Sequence, residues 1–482
     1  MRYPKTRYRR ITINRFDGGL NTELHPAEIA PNEFSQFHNF VYDIGGFRLR
    51  GGFQIYDSFT KEIISCFLRN SKYYFVFKDG EFGVYDYSSK SYSAKGYLTV
   101  SVNPKFAWFD PFVCIATGDS LYLYDTSNDS LIKTDSKPAV DVLVKDGRVV
   151  IASGDEVWFS AVGDPTNWTS DSGDPSSAQF VQVGYKDGQP IVALSILQGQ
   201  LVAFKWNSVW LVSMTDVEQV ISGRGALNNS CVFSLGVDVY AVDKEGFYSV
   251  NNDRFLKVVS GNLDLKVKSF LKSNLSKQKT KLVYVPQLRA FLITGRDVNF
   301  LYFYQTKAFS TFETLLPVSG FFADDNAFFA FSSNIFEYKD SLPYDSFSGY
   351  IADDTQEIAS DYSLIYEVQR INGTLKTKTF VFGGKATVLR FGIDVRDVKS
   401  DGFIGVVVDD RQENINVSPS SGYIYGDFNF ISDDNSFIFG LPKDFNKHWH
   451  KIFVSDAIDV AVNTNTQFLL NSVFVDYSIM EG

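Results

Sequence analysis

Short runs of β-branched and aromatic residues, each closed by Gly, Asp, Asn or Ser, recur along most of the chain, while the periodicity of amphipathic helices is almost absent. Tyr73 to Phe77, Lys78-Asp79-Gly80-Glu81 and Phe82 to Tyr87 form a hairpin in sequence. Its two strands meet at an Asp-Gly turn, where glycine accepts the positive φ of a tight reversal. Lys-Asp-Gly returns at Lys145-Asp146-Gly147 and Lys186-Asp187-Gly188. The runs themselves also repeat. Glu81 to Ser88 resembles Ser120 to Ser127, with the Tyr-Asp pair displaced by about 39 residues, and Leu301 to Thr306 is a weaker echo. Hairpin-like segments begin near Tyr73, Phe112, Val142, Ala193, Asn229, Leu282 and Gly320. Their mean spacing of about 41 residues is close to the roughly 40 to 45 of a four-stranded propeller blade.

A pair of β-sandwiches would also place strands at short, regular intervals. Seven nearly equal units followed by a change of texture suit a ring of blades better. The change comes near Leu342-Pro343-Tyr344. Beyond it the segments lengthen, as in Thr387 to Val395 and Phe403 to Val408, with turn-rich polar stretches such as Asn414 to Gly426 between them. The first sixty or so residues are polar, carry Gly18-Gly19, Gly45-Gly46 and Gly51-Gly52, and show few strand signals. The expected fold is therefore all-β: an extended docking arm over 1–60, a β-propeller of about seven blades over 61–344, and a β-sandwich over 345–482. The blade count shifts if the arm completes a blade.

Composition bears on partners and compartment. A total of 45 Phe and 26 Tyr must be buried somewhere, and 44% hydrophobic with 21% charged residues excludes wholesale disorder. A net charge of -10 argues against tight, sequence-independent nucleic-acid binding, which needs clustered Lys and Arg. Cys66, Cys114 and Cys231 are far apart in apolar, strand-like stretches and read as small buried hydrophobes. Met1 to Lys5 lead into basic residues without the apolar segment of a secretory signal, and no apolar stretch approaches the roughly 20 residues that cross a bilayer. These features lead us to expect a soluble protein made in a reducing cytoplasm, with no membrane span.

Chemistry is sparse. His448 and His450 would share one side of a strand, a geometry open to a metal pair, but without a third ligand in view an exposed strand end is the expectation. Asp324-Asp325, Asp353-Asp354, Asp409-Asp410 and Asp433-Asp434 lack the spacing of a calcium loop and read as solvated turns. No phosphate-binding glycine loop and no nucleophile elbow is present, so neither a cofactor nor an enzymatic activity is expected. The one concentrated charge feature is Arg2, Lys5, Arg7, Arg9, Arg10 and Arg15, interleaved with Tyr3 and Tyr8. It reads as a segment that docks onto an acidic protein partner, with a solvated tail and direct contact with DNA phosphates as the alternatives.

Three stretches together resemble one family. The arm reads Asp17-Gly18-Gly19-Leu20-Asn21, then Pro31-Asn32-Glu33, Asn39-Phe40 and Arg48-Leu49-Arg50-Gly51-Gly52. The middle of the chain reads Ser160-Ala161-Val162-Gly163-Asp164-Pro165-Thr166-Asn167-Trp168, followed by Leu201 to Lys205 and Val209 to Leu211. Leu227 to Cys231 and Glu245-Gly246-Phe247-Tyr248 follow. In this order they are similar to the tail nozzle, or packaged-DNA stabilisation, proteins of short-tailed bacteriophages. That resemblance implies a virion tail protein in a homo-oligomeric ring, usually of six copies, below the portal and adaptor proteins. Such a ring retains packaged DNA, provides its exit channel and carries fibres or spikes. It implies no catalytic residue. A glycan-binding or glycan-cleaving β-propeller tail protein is the alternative.

The implied function has a physical requirement. The inner strands of a propeller fill its axis, so duplex DNA would have to pass between subunits of a cyclic ring. Six copies at -10 each would carry about -60, and a lumen of that sign would let DNA slide instead of binding.

Overall fold

The structure is a computed structural model. It describes residues 8–15, 17–43, 46–252, 257–312, 321–323, 326–331, 333–339, 344–348, 366–370, 372–396, 402–408, 411–417, 444–464 and 469–479. Among these, strands dominate and the single α-helix is Lys268–Asn274.

Among the described residues, seven four-stranded antiparallel units follow one another, the sixth of them within a larger sheet. Blade 1 is Ile63–Arg69, Lys72–Phe77, Glu81–Asp86 and Ser91–Tyr97, and blades 2 to 5 begin with Val100–Phe109, Asp141–Lys145, Ile191–Leu197 and Val232–Leu235. Blade 6 runs from Leu282–Val285 to Ala308–Phe312. Blade 7 is Phe321–Ala323, Asn326–Phe331 and Asn334–Lys339, completed by Gly52–Ser58 from the arm. The first strands of blades 1 to 6 neighbour one another in order, and that of blade 7 lies beside that of blade 1. This sheet order is a β-propeller. Val142, Ala193, Asn229, Leu282 and Gly320 lie at or within three residues of the first strands of blades 3 to 7, whereas Tyr73 and Phe112 mark second strands.

Stacked blades explain the aromatic content. Both faces of a blade are covered, so successive side chains on one strand enter different cores. In Lys72–Phe77, Tyr73, Phe75 and Phe77 pack with Ile335 of blade 7, while Tyr74 and Val76 pack with Val113, Ile115 and Tyr122 of blade 2. The Asp-Gly hairpin forms between the second and third strands of blade 1, with Gly80 at φ +87°. Lys145-Asp146-Gly147 instead joins the first and second strands of blade 3, and Lys186-Asp187-Gly188 lies between blades 3 and 4.

The arm departs from expectation. It contains strands Tyr8–Ile13, Gly19–Leu20, Glu33–His38, Phe40–Asp43, Gly46–Leu49 and Gly52–Ser58. Since the last of these belongs to blade 7, the propeller begins at Gly52 and not at residue 61. Their partners are remote: Tyr8–Ile13 pairs antiparallel with Leu469–Ile479, from Tyr8 opposite Ser478 to Ile13 opposite Val473. Glu33–His38 lies against the outer strand of blade 6 at one bridge, His38 opposite Thr311, and on its other side pairs with Gly373–Thr377.

From there the sheet continues through Val460–Thr464, Gly402–Val408 and Arg411–Val417, so that blade 6 and the C-terminal strands form one ten-stranded sheet. Asn414 to Val417 is thus strand, not turn; residues 418–426 lie outside the described residues. A second, six-stranded sheet contains Phe380–Arg396 between Asp444–Ile458 and Leu469–Ile479. Val388, Phe391, Ile393 and Val475 from this sheet share one buried cluster with Leu375, Val406, Val408 and Val462 from the other. Residues 340–343, where the sequence changes texture, lie outside the described residues.

Candidate functional site

Two places gather polar groups from several elements: the anchor of the arm and the axis of the propeller.

The anchor is built from the first motif. Gly18 and Gly19 are there because nothing larger fits. A Cβ on Gly18 would stand 2.4 Å from the Asn32 carbonyl oxygen, and one on Gly19, at φ +66°, would stand 2.7 Å from the Ala308 Cβ and 2.8 Å from the Phe309 nitrogen. The backbone therefore lies flat against the outer strand of blade 6. Asn21 donates from Nδ2 to Glu33 Oε2 at 2.7 Å, and its Oδ1 accepts from the Glu23 and Leu24 amides at 3.2 and 3.3 Å. Lys266 reaches Glu33 Oε1 at 2.8 Å and the Gly18 carbonyl at 3.1 Å. Burial pushes the Glu33 carboxyl up, but Lys266, the Ala30 amide and Asn21 together hold it below its ordinary value. Leu20 is buried in the main core, and Asp17 is held by Asn32 at 2.9 Å and Arg15 at 2.8 Å.

The sequence pattern contained, without a role, the residues that join the arm to everything else. Asn39, fully buried at φ +61°, donates from its amide nitrogen to the Thr311 carbonyl of blade 6 and from Nδ2 to the Asn372 carbonyl, both at 2.8 Å. Its own carbonyl accepts from Arg50 N at 2.8 Å. The Arg50 guanidinium, 1% exposed, lies over the rings of Phe53 and Phe312 and donates to Asn39 Oδ1 at 3.2 Å. Phe37 stacks on Phe34 and on Phe40 and meets Phe47 edge-on, and Phe47 in turn meets Phe303 of blade 6 edge-on.

Of the basic cluster, Arg2, Lys5 and Arg7 lie outside the described residues. Arg9 is exposed; Arg10 forms a two-point pair with Asp476 of the same chain, 2.6 and 2.8 Å, and lies 4.5 Å from the Phe474 ring. Arg10 is thus engaged on the chain's own last strand, and Asp476 raises its pKa.

The second motif is a turn in the long connection between the third and fourth strands of blade 3. Gly163, at φ +73°, donates to the Gly147 carbonyl at 2.8 Å. Asp164 Oδ1 accepts from Thr166 N and Oγ1 at 2.9 and 2.6 Å, and Trp168 Nε1 donates to the Pro165 carbonyl at 3.0 Å. The turn is pinned by Arg148, 3% exposed, whose guanidinium donates to the carbonyls of Ser160, Ser177 and Pro175 at 2.5 to 2.7 Å.

At the axis, the 3-10 turn Asn229–Cys231 at the entry to blade 5 reaches across the ring. Asn229 Nδ2 donates to the carbonyls of Asn103 in blade 2 and Val140 at the entry to blade 3, both at 2.8 Å; Asn103 Nδ2 meets Ser230 Oγ at 3.4 Å. Blades 2 and 5 are not neighbours, so these bonds span the channel. Lys281 at the entry to blade 6 donates to the Ile64 carbonyl of blade 1 at 3.3 Å, and Ser65 Oγ donates to the Pro104 carbonyl of blade 2 at 2.7 Å. Asp141, 2% exposed, accepts from Leu194 N of blade 4 and from its neighbour Val142 N, both at 2.8 Å. Burial pushes its carboxyl up to about 6 despite the nearby Lys105.

The cysteines read as inert hydrophobes divide here. Cys114 is buried in the interface of blades 2 and 3, whereas Cys66 and Cys231 stand close enough to Lys281 to feel its charge. Desolvation raises both thiols, Cys231 to about 12, so they remain neutral. His448 and His450 stand inside Asp444–Ile458, opposite Gly392 and Arg390, and not at a strand end. The four Asp pairs lie outside the described residues. Among the described residues no three His, Cys, Asp or Glu side chains form a metal-sized group, and no helix is long and apolar enough to cross a membrane.

No protein-family model matches the chain. A methyltransferase/ribosomally synthesized type III borosin cyclic peptide precursor, aboMAa of Anomoporia bombycina, is 32% identical over 117 residues, which is 24% of this chain and 13% of that protein. Among solved structures, BamB from Moraxella catarrhalis is similar at 12% identity and TM-score 0.39, over 63% of this chain and 94% of that one. The β-propeller domain of Cps50 (Swd1) from Myceliophteria thermophila is similar at 8% identity and TM-score 0.40, over 60% and 100%. The computationally designed Ika8 protein is similar at 12% and 0.39, over 59% and 98%. The propeller architecture follows from the chain's own sheet order.

Proposed function

We propose that this chain is a structural protein of a short-tailed bacteriophage tail, the repeating subunit of a nozzle ring below the portal and adaptor. It retains packaged DNA, forms the exit channel for the genome, and supports fibres or spikes. In this reading the propeller has seven blades, the two C-terminal sheets form a sandwich, and about six copies close the ring.

The observation that carries the reading is how the arm is built in. The segment bearing the family-like motif completes blade 7, extends blade 6 into the C-terminal sheet and adds a strand to the last strand of the chain. Such stitching suits a part that must transmit load without domains parting. The axis supports the same reading. Hydrogen bonds from Asn229 to blades 2 and 3 leave no passage for a duplex through one subunit, so a conduit needs a lumen between copies.

Electron microscopy of the purified full chain, alone and with a portal–adaptor complex, tests the proposal. A closed ring with a central hole wide enough for duplex DNA is the expected image. A monomer in both preparations, or a ring whose lumen is strongly basic, would overturn it.

A further inference from the structure

The axis holds an imbalance that the scaffold does not use. Lys105 lies in the first strand of blade 2 and Lys281 at the start of blade 6, and the segments that bear them both bond to Ile64–Ser65 of blade 1. Ile64 takes the Lys281 ammonium, and Ser65 binds the Pro104 carbonyl next to Lys105. The two ammonium groups are close enough that Lys105 depresses the Lys281 pKa, in the same direction as burial does.

An ammonium has three N–H donors. Among the described residues Lys281 uses one, at 3.3 Å, and Lys105 has no hydrogen-bond partner and no carboxylate within ion-pair distance. The nearby acids are already engaged. Both oxygens of Asp141 accept backbone amides, and Glu62 pairs with Lys78 at 2.6 Å. The neighbouring thiols are neutral. Both lysines are partly accessible, and the Asn103 amide, two residues from Lys105, donates to the Ser230 hydroxyl at 3.4 Å, which in turn donates to Asn229 Oδ1 at 3.4 Å, two long bonds. Two cations short of acceptors, against the single Asp141 carboxylate near Lys105, leave a net positive local site beside the Asn103 amide in a chain of net charge -10.

We propose that the axial end of the propeller binds a small oxyanion, phosphate being the fitting example, held between Lys105 and Lys281 with Asn103 and Ser230 as neutral donors. Binding completes the donors that the protein leaves open and ties blade 6 to blade 2 across the ring. It therefore stabilises the folded chain by mass action. The site is independent of the proposed ring, since every residue in it comes from one chain.

The test is thermal unfolding of the full chain in sodium phosphate against sodium chloride at matched ionic strength, with isothermal titration of inorganic phosphate. The expected result is a saturable rise in melting temperature and about one phosphate per chain. Both should be lost in Lys281→Met and in Lys105→Met and kept in Lys72→Met, which changes an exposed lysine. Replacing a desolvated cation by an apolar chain of similar length preserves the fold, so the variants remain measurable. Equal melting of the wild type in both salts, or a rise that survives both axial substitutions, would overturn the proposal. So would a rise that Lys72→Met also removes.

Discussion

Asp141 illustrates how a single buried carboxylate records the ring geometry. It sits at the start of blade 3 and fastens blade 4 through the Leu194 amide, with its second oxygen taken by Val142 N. Its folded pKa of about 6 exceeds the ordinary value of about 3.9, so the folded state holds the proton more tightly than the unfolded chain. The cost of burying the charge is therefore present above pH 6 and is released as pH falls from 6 toward 4. Asp141→Asn cannot titrate, and its amide nitrogen would face a backbone N–H that now has an acceptor. Wild type should gain about 2 kcal/mol on the variant between pH 7 and pH 4.5, read from urea unfolding at each pH. A gap that stays constant with pH would show that Asp141 is not the titrating group.

Individual elements divide into those legible from local pattern and those defined only by remote partners. The hairpin Tyr73 to Tyr87 was legible because alternation and an Asp-Gly turn are local signals, and they survive in blade 1. Lys-Asp-Gly was legible as a turn but not as a particular turn, for it serves three different connections. The arm strands were not legible: Gly-rich segments have weak strand propensity, and Tyr8–Ile13 becomes a strand only beside Leu469–Ile479. The axial cluster was equally hidden, since Lys105 and Asp141 sit in ordinary strand sequence, Asn229 in a short 3-10 turn and Lys281 just before a strand, and they meet only when the ring forms. Arg148 is the element-scale test. Its three carbonyl partners hold the connection 160–178, which carries Gly163, Asp164, Pro165 and Trp168. Arg148→Met should cost on the order of 3 kcal/mol and expose that connection to limited proteolysis, while Arg148→Lys, which keeps the charge but not the fork, recovers only part. Unchanged cleavage in Arg148→Met would place the anchor of the connection elsewhere.

At the scale of the whole molecule, the arm serves two separable ends. Residues 8–13 cover one edge of the last strand, whereas Gly52–Ser58 supplies the fourth strand of blade 7. Deleting residues 1–15 should leave a folded chain whose main thermal transition moves by no more than a few degrees, because no blade loses a strand. Deleting 1–58 should abolish cooperative unfolding and soluble yield. If both truncations melt alike, Gly52–Ser58 is not needed to close the ring. The pairing of Tyr8 with Ser478 and of Ser58 with Asn334 also sets a timetable. At roughly 5 to 20 residues per second, a ribosome needs some 15 to 60 seconds after making Ser58 before its partner exists. Synthesis thus leaves the arm unpaired while blades 1 to 6 emerge, and its arginines and glycines keep it from joining a premature sheet edge. Tyr8–Ile13 finds its place only once Leu469–Ile479 has been made, so the arm can act as the chain's own check that synthesis has reached that strand.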